Sequence, residues 1–340
     1  MTRGGWGRVA LLTAVVLAAG TLTVGYTRYV VRRDADLRAG PAAATADPAS
    51  AAALQKVLAG SYVAFRSTTP GPGYGRLAVV PLADPAATPV RSTLSCERVY
   101  AARSAAVCLT ADRGVVTTYQ ARLLGPDLAV GREIPLPGLP SRARVAADGQ
   151  QVAWTTFVAG DSYAAASFST RTNIVDVSGG TPVDVETYTI LKGGAPYRSP
   201  DINVWGVTFA GGGRFYATVG SQGQRWLVAG DQGTRVLRVV AEGVECPSLS
   251  PDGTRVAYKR ATSPGRWAVH VRDLASGTDR RLAETRSVDD QVEWLDNSTV
   301  LYGLPRPGTG ESDVWALPAD GTGTPRVFLA DAWSPAVVRR

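Results

Sequence analysis

The stretch PSLSPDGTRVAYKR (residues 247–260), followed by RWAVHVRDLASGTDRRL (residues 266–282), decides how the rest of the chain is read. Short runs of Val, Tyr, Trp and Ala are separated by Pro251-Asp252-Gly253 and by Ala275-Ser276-Gly277. Proline presets φ at the start of a turn, aspartate bonds to the backbone just beyond it, and glycine accepts a positive φ. The pattern predicts four strands joined by hairpins, hence one small antiparallel sheet. Such a sheet cannot hide both faces by itself, so something must stack on either side of it.

Working outward, the same outline recurs. SRARVAADGQQVAWTTF (141–157) places Asp148-Gly149 six residues before Trp154, as Asp252 stands six before Tyr258. QVEWLDNSTVLYGL (291–304) places Asp296-Asn297 six before Tyr302. GVTFAGGGRFYATV (206–219) has a glycine triplet for its turn, and AAVCLTADRGVVTTY (105–119) is a poorer copy around Asp112 and Gly114. Each copy is followed by a second hairpin. GSYVAFRS (60–67) begins a unit that lacks its opening strand, and the tail AWSPAVV (332–338) resembles the missing piece. Counting the split unit gives six repeats.

These residues carry a family resemblance. LSPDGTRVAY with the following DLASGT hairpin resembles the WD40-like PD40 repeat of TolB-type six-bladed β-propellers, across about residues 59–338. Pro251-Asp252-Gly253 is the strongest match, Asp148-Gly149 a fair one, and the others rest on spacing. The resemblance implies an all-β fold, a six-bladed propeller of four-stranded antiparallel blades. It also implies an extracytoplasmic protein that presents surfaces to protein partners. No separate N-terminal α/β domain of the TolB kind is found, so membership of a Tol complex is unsupported. An open ring of blades has two edges, and pairing residues 332–338 with the sheet of residues 60–67 removes both.

Three regions are expected: a membrane anchor or signal segment (1–33), an Ala/Pro-rich linker (34–58) and the propeller (59–340). Residues 9–27 carry no charge, just enough for a helix to cross a bilayer. They read as an uncleaved anchor with the propeller on the extracytoplasmic side of a bacterial cytoplasmic membrane. Secretion after cleavage near Ala18 and Gly20 is the alternative. Arginine counting, two before the segment and four soon after, argues the opposite orientation. The cysteines bear on it too. Cys96 and Cys108 flank a turn near residues 101–104, and neighbouring strands would bring them within disulfide range. Two buried thiols are the other reading. The family's location reinforces the disulfide, whereas Cys246 is expected to be a buried thiol.

Composition narrows the chemistry. The formal charge is +7, but residues 1–38 alone hold six Arg and two Asp. What remains shows no basic stripe, so the charge points to a membrane and away from nucleic acid. A single histidine, His270, excludes chemistry that needs two imidazoles, and three cysteines cannot make a four-thiolate zinc site.

Catalytic signals are weak. Asp161-Ser162 resembles the start of a lipase-type serine motif, but there is no G-x-S-x-G elbow and His270 falls on an expected interior strand. Gly211-Gly212-Gly213 precedes a strand and not a helix, so it is a hairpin and not a phosphate cradle. Asn297-Ser298-Thr299 is formally a glycosylation sequon at a turn, and Asp289, Asp290 and Glu293 are the one group of carboxylates with any claim on a cation. Trp154, Tyr216, Tyr258, Trp267, Trp294, Tyr302 and Trp315 recur at equivalent positions, as packing between blades requires, whereas Trp205 and Trp226 fit this pattern less clearly and invite inspection for exposure.

No cofactor or metal is expected. Two functions compete: a monomeric, non-catalytic scaffold binding an envelope protein at one face, and a ligand sensor or hydrolase-type enzyme using the central channel. Converging ionisable groups of shifted pKa in the channel would favour the second.

Overall fold

The computed structural model describes residues 48–114, 116–158 and 169–340. The expected anchor (1–33), the first part of the expected linker and Asp161-Ser162 lie outside the described residues. Six sheets, antiparallel but for one added strand in the fourth, follow one another along the chain. The first contains β1 (Tyr62–Ser67), β2 (Arg76–Pro81) and β3 (Val90–Ser95); the second, β4 (Arg98–Ala101), β5 (Ala106–Arg113), β6 (Thr117–Leu124) and β7 (Val130–Leu136). The third is β8 (Leu139–Val145), β9 (Gln151–Val158), β10 (Ser169–Asp176) and β11 (Gly179–Asp184). An added hairpin, β12 (Thr189–Lys192) and β13 (Ala195–Tyr197), precedes the fourth, built of β14 (Asn203–Gly211), β15 (Arg214–Ser221), β16 (Gln224–Asp231) and β17 (Val236–Glu242). The fifth is β18 (Glu245–Leu249), β19 (Arg255–Ser263), β20 (Arg266–Asp273) and β21 (Asp279–Arg281). The sixth is β22 (Glu293–Asp296), β23 (Thr299–Pro305), β24 (Ser312–Pro318) and β25 (Arg326–Leu329), after which β26 (Ala332–Val338) returns to the first.

This is the six-bladed propeller that the repeat implies. The tail closes it as expected, with β26 antiparallel to β1 from Tyr62↔Val338 to Ser67↔Ala332. β26 also packs on β23 and β24, so one strand holds both sides of the seam. Trp333 lies so close to Gly303 that a Cβ there would meet its ring at 2.5 Å. Polar bonds complete the joint: Thr68 N donates to Asp331 O, and the Thr68 hydroxyl donates to Ser312 O while accepting from Ser312 N.

The turn chemistry holds at three of the repeats. Asp148, Asp252 and Asp296 each accept a backbone N–H two residues on, and Gly149 and Gly253 sit at φ +72°. Neighbouring turns touch, since Ser104 donates to Asp148 O and Asp252 N donates to the Asn297 side chain. The poorest copy needs correction. Asp112 belongs to the end of β5 and Gly114 follows it, so both lie at the hairpin between the second and third strands. The first turn of that blade is residues 102–105, closed by Ala102 N to Ala105 O with no Asp-Gly pair. A hairpin of either kind favours the same residues, and spacing alone did not tell them apart.

Two further differences appear. The segment expected to be linker as far as residue 58 ends in a helix, α1 (Pro48–Leu58). Alanine is the best helix former and proline suits the first turn, so a composition read as flexible is also helical. Leu54, Val57 and Leu58 bind it to the first blade, where it lies along β3, covering what would be an open edge. The fourth blade has six strands, because β12 pairs parallel to β17 and carries β13 outside it.

Cys96 and Cys108 form a disulfide with Cα atoms 5.3 Å apart, tying the entry of the second blade to its second strand. Cys246 is a buried free thiol, as expected. Its φ of +51° and the +67° of Gly206 mark facing irregularities in β18 and β14, where a Cβ on Gly206 would meet Cys246 Cα at 2.7 Å. A chain ending at residue 330 should lose more than about 3 kcal/mol of stability, because it exposes the β1 edge and several buried side chains together; thermal unfolding followed by circular dichroism checks this.

Candidate functional site

The first strands of the blades, β26, β4, β8, β14, β18 and β22, contact one another in cyclic order and line the axis. Side chains on such strands point inward at alternate positions, which brings Arg98, Tyr100, Arg142, Arg144 and Ser334 to the middle of the ring. The segment before β22 adds Asp289, Asp290 and Gln291.

At the centre lies a buried cluster. Arg144 donates to Glu293, to Ser248 Oγ at 3.0 Å and to Val292 O at 2.8 Å, and its guanidinium sits 4.4 Å over the Tyr100 ring. Tyr100 OH donates to Glu293 at 3.0 Å, and Val337 N donates to the other carboxylate oxygen at 3.3 Å. Gln291 Nε2 donates to Val207 O and Pro247 O. Together these contacts reach all six blades. Burial pushes the Glu293 carboxyl above its ordinary value, with Arg144, Val337 N and Tyr100 pulling it down; burial likewise raises Tyr100.

The three carboxylates considered for a cation therefore have protein cations instead. Glu293 pairs with Arg144, Asp290 stands 3.6 Å from Arg98, and Asp289 pairs with Lys259 and Arg142. Ionisable groups of shifted pKa do converge in the channel, the arrangement that would favour a ligand site. They are spent on one another, and the space left among Arg98, Arg142, Arg144, Asp290 and Ser334 is about 20 Å³, roughly room for one water.

Strand direction gives the two mouths different characters. At one, the first turns of the blades surround a funnel of about 570 Å³, with Tyr100, Ser248, Glu293 and Trp294 on its floor and Arg103, Asp148, Asp252 and Arg339 among its walls. The expected repeat-turn residues Asp148, Pro251, Asp252 and Gly253 thus line this funnel, along with Gly211, whereas Asp112, Gly114, Gly149, Asp296 and Asn297 are not part of its lining. At the opposite mouth sit Arg98, Arg142, Lys259 and Asp289. Spacing in the repeats revealed the turns, but not that arginines 98, 142 and 144 answer carboxylates some 150 to 190 positions away.

The remaining candidates resolve simply. Trp205 and Trp226 are buried, at 7% and 1% exposure, so neither is a binding platform. His270 lies in the third strand of its blade with Nδ1 2.7 Å from Asp279 Oδ1, beside the Tyr258 ring. Burial lowers the pKa of His270, only partly offset by Asp279. Neutral imidazole is favoured in the fold, so stability from this group is complete above its usual 6.5 and declines as pH falls below it. His270→Gln should flatten that part of the stability profile in urea titrations between about pH 5 and 7. Removing one member of the axial pair leaves a buried charge: Glu293→Gln should cost about 3–5 kcal/mol, and Arg144→Met with Glu293→Leu much less, by urea unfolding of the full chain.

No family model and no curated protein matches the sequence. Solved structures do. TolB from Acinetobacter baumannii aligns with a TM-score of 0.58 at 15% identity, over 84% of this chain and 68% of its own. A protein assigned as TolB from Agrobacterium tumefaciens aligns at 0.50 and 11%, over 79% and 88%. A chain of the nidogen–laminin complex aligns at 0.51 and 12%, over 82% and 98%. At these identities the likeness is one of architecture, and this chain carries the six-bladed β-propeller fold that TolB structures share.

Proposed function

We propose that the chain is a non-catalytic scaffold held on the extracytoplasmic side of a bacterial membrane by residues 9–27, and that it binds an envelope protein through the funnel. The observation that carries this reading is the contrast along the axis. The interior is closed by groups already bonded to one another, whereas the funnel is open, walled by turns from several blades and floored by Trp294. Turns on a rigid scaffold are where recognition surfaces are built. The fold shared with TolB structures supports a partner-binding role, and the Cys96–Cys108 disulfide suits an oxidising compartment.

A small molecule is the second reading, because the funnel has the volume of an ordinary ligand pocket. Against it, Glu293 and Tyr100 on the floor are already bonded to each other and to Arg144, and the hydroxyl of Ser248 beside them already accepts from Arg144.

One experiment tests compartment and face together. Arg103 lies in a first turn at the funnel and Thr262 near the hairpin joining β19 and β20, on the other side of the ring. Intact cells carrying Arg103→Cys or Thr262→Cys are treated with a bifunctional maleimide that does not cross the cytoplasmic membrane. Both variants should react, and only Arg103→Cys should yield a reproducible protein adduct. Failure of both to react would overturn the location; adducts from Thr262→Cys alone would overturn the face.

A further inference from the structure

The mouth opposite the funnel holds a second arrangement. Lys259 and Arg142 are buried, with side chains 4% and 11% exposed, yet both point their charge at Asp289, whose side chain is 58% exposed. Asp289 lies between β21 and β22 on a segment with no strand of its own. The cations are held independently of it. Arg142 donates to Ser141 O at 2.9 Å, to Ser141 Oγ at 3.3 Å and to Cys246 Sγ at 3.4 Å. Lys259 has its ammonium 4.3 Å over the Trp267 ring, and Trp267 is in turn fixed by donating to Glu245.

The charge here does not balance. Arg98, Arg142 and Lys259 face Asp289 and Asp290, with Arg66 adding its field behind Arg98. Glu245, opposite Lys259 across the strands, is engaged by Trp267 and stands 4.0 Å from Arg225. Burial, and then the nearness of Arg142, lowers the pKa of Arg98 to about 10 with Asp290 opposing, whereas for Arg142 burial is outweighed by Cys246, Asp290 and Asp289, which raise its pKa. A buried ammonium or guanidinium requires an anion, and losing one is expensive. The cations are thus fixed in place, while the anion serving two of them is reached by solvent and sits on an irregular segment.

We infer that this mouth is a carboxylate-binding site, built of Lys259 and Arg142 with Arg98 behind them, in which Asp289 acts as a resident surrogate that an external carboxylate replaces. The volume needed is that of the Asp289 carboxylate itself, so the narrow axis beyond it need not open. The site is distinct from the funnel and does not depend on the role proposed for it.

Chemical rescue tests this on the full chain in detergent. Asp289→Ala should melt below the parent and regain stability as sodium acetate replaces sodium chloride at constant ionic strength, with a smaller response in the parent. The peptide Gly-Gly-Ala with a free terminus should rescue and its C-terminal amide should not; amidated Gly-Glu-Ala against amidated Gly-Gln-Ala asks whether a side-chain carboxylate serves as well. Asp289→Asn, which keeps the volume, guards against a packing artefact and should also bind the free peptide more tightly than the parent by calorimetry. Adding Lys259→Met to Asp289→Ala should abolish the acetate response. Equal effects of acetate and chloride on Asp289→Ala, equal rescue by peptide acid and amide, or an acetate response that survives Lys259→Met would each overturn the site.

Discussion

The Arg144–Glu293 pair on the axis is the interaction on which the ring's interior depends. A propeller packs its blades side by side through apolar clusters, but its first strands converge where the space is too small for large apolar side chains from every blade and leaves room for little more than one water. Polar groups placed there must find partners among themselves. Arg144 meets that demand through its two terminal nitrogens, its Nε alone being left without a hydrogen-bond partner among the described residues: they reach the fifth and sixth blades, its face stacks on Tyr100 of the second, and Glu293 accepts from Val337 of the strand that closes the first. Gln291 adds the fourth. One connected network fixes the angular positions of all the blades, and it closes the channel in doing so.

That closure separates the two faces. The funnel is shaped by first turns, whose Asp and Gly residues are present for conformational reasons; its walls therefore combine short turn residues with the longer Arg103 and Arg339. The other mouth is shaped by strand beginnings and by the segment between the fifth and sixth blades, where charge dominates. A single repeat has thus produced two chemically unlike surfaces, because its two ends carry different kinds of loop.

Most of the fold was legible because it is written locally. Asp252-Gly253 and Asp148-Gly149 specify turns whatever surrounds them, and the aromatic six positions later marks the strand that packs between blades. What local chemistry could not disclose was pairing at a distance. Asp289, Asp290 and Glu293 were visible as a carboxylate group, but their partners Arg98, Arg142 and Arg144 belong to the second and third blades and meet them only once the ring has closed. A signal was present in RARV at residues 142–145, where arginines alternate on a strand expected to be innermost and so must point at the axis. Trp226, whose place was uncertain from spacing, is buried between Tyr197 and Lys192 of an inserted hairpin that has no counterpart in the other repeats among the described residues. Helix α1 was missed because alanine and proline are shared by linkers and by helix starts, and only its packing against the first blade decides between them.

The pairing of Tyr62 with Val338 joins residues near opposite ends of the propeller. Synthesis proceeds at about 5–20 residues per second, so roughly 15–55 seconds separate the emergence of these two partners. Throughout that interval β1 has a neighbour on one side only, and the first blade to be made is the last to be finished. The sequence VAFRS presents three consecutive apolar residues and an open backbone during this time, which makes the growing chain, more than the completed ring, the form that needs protection from aggregation.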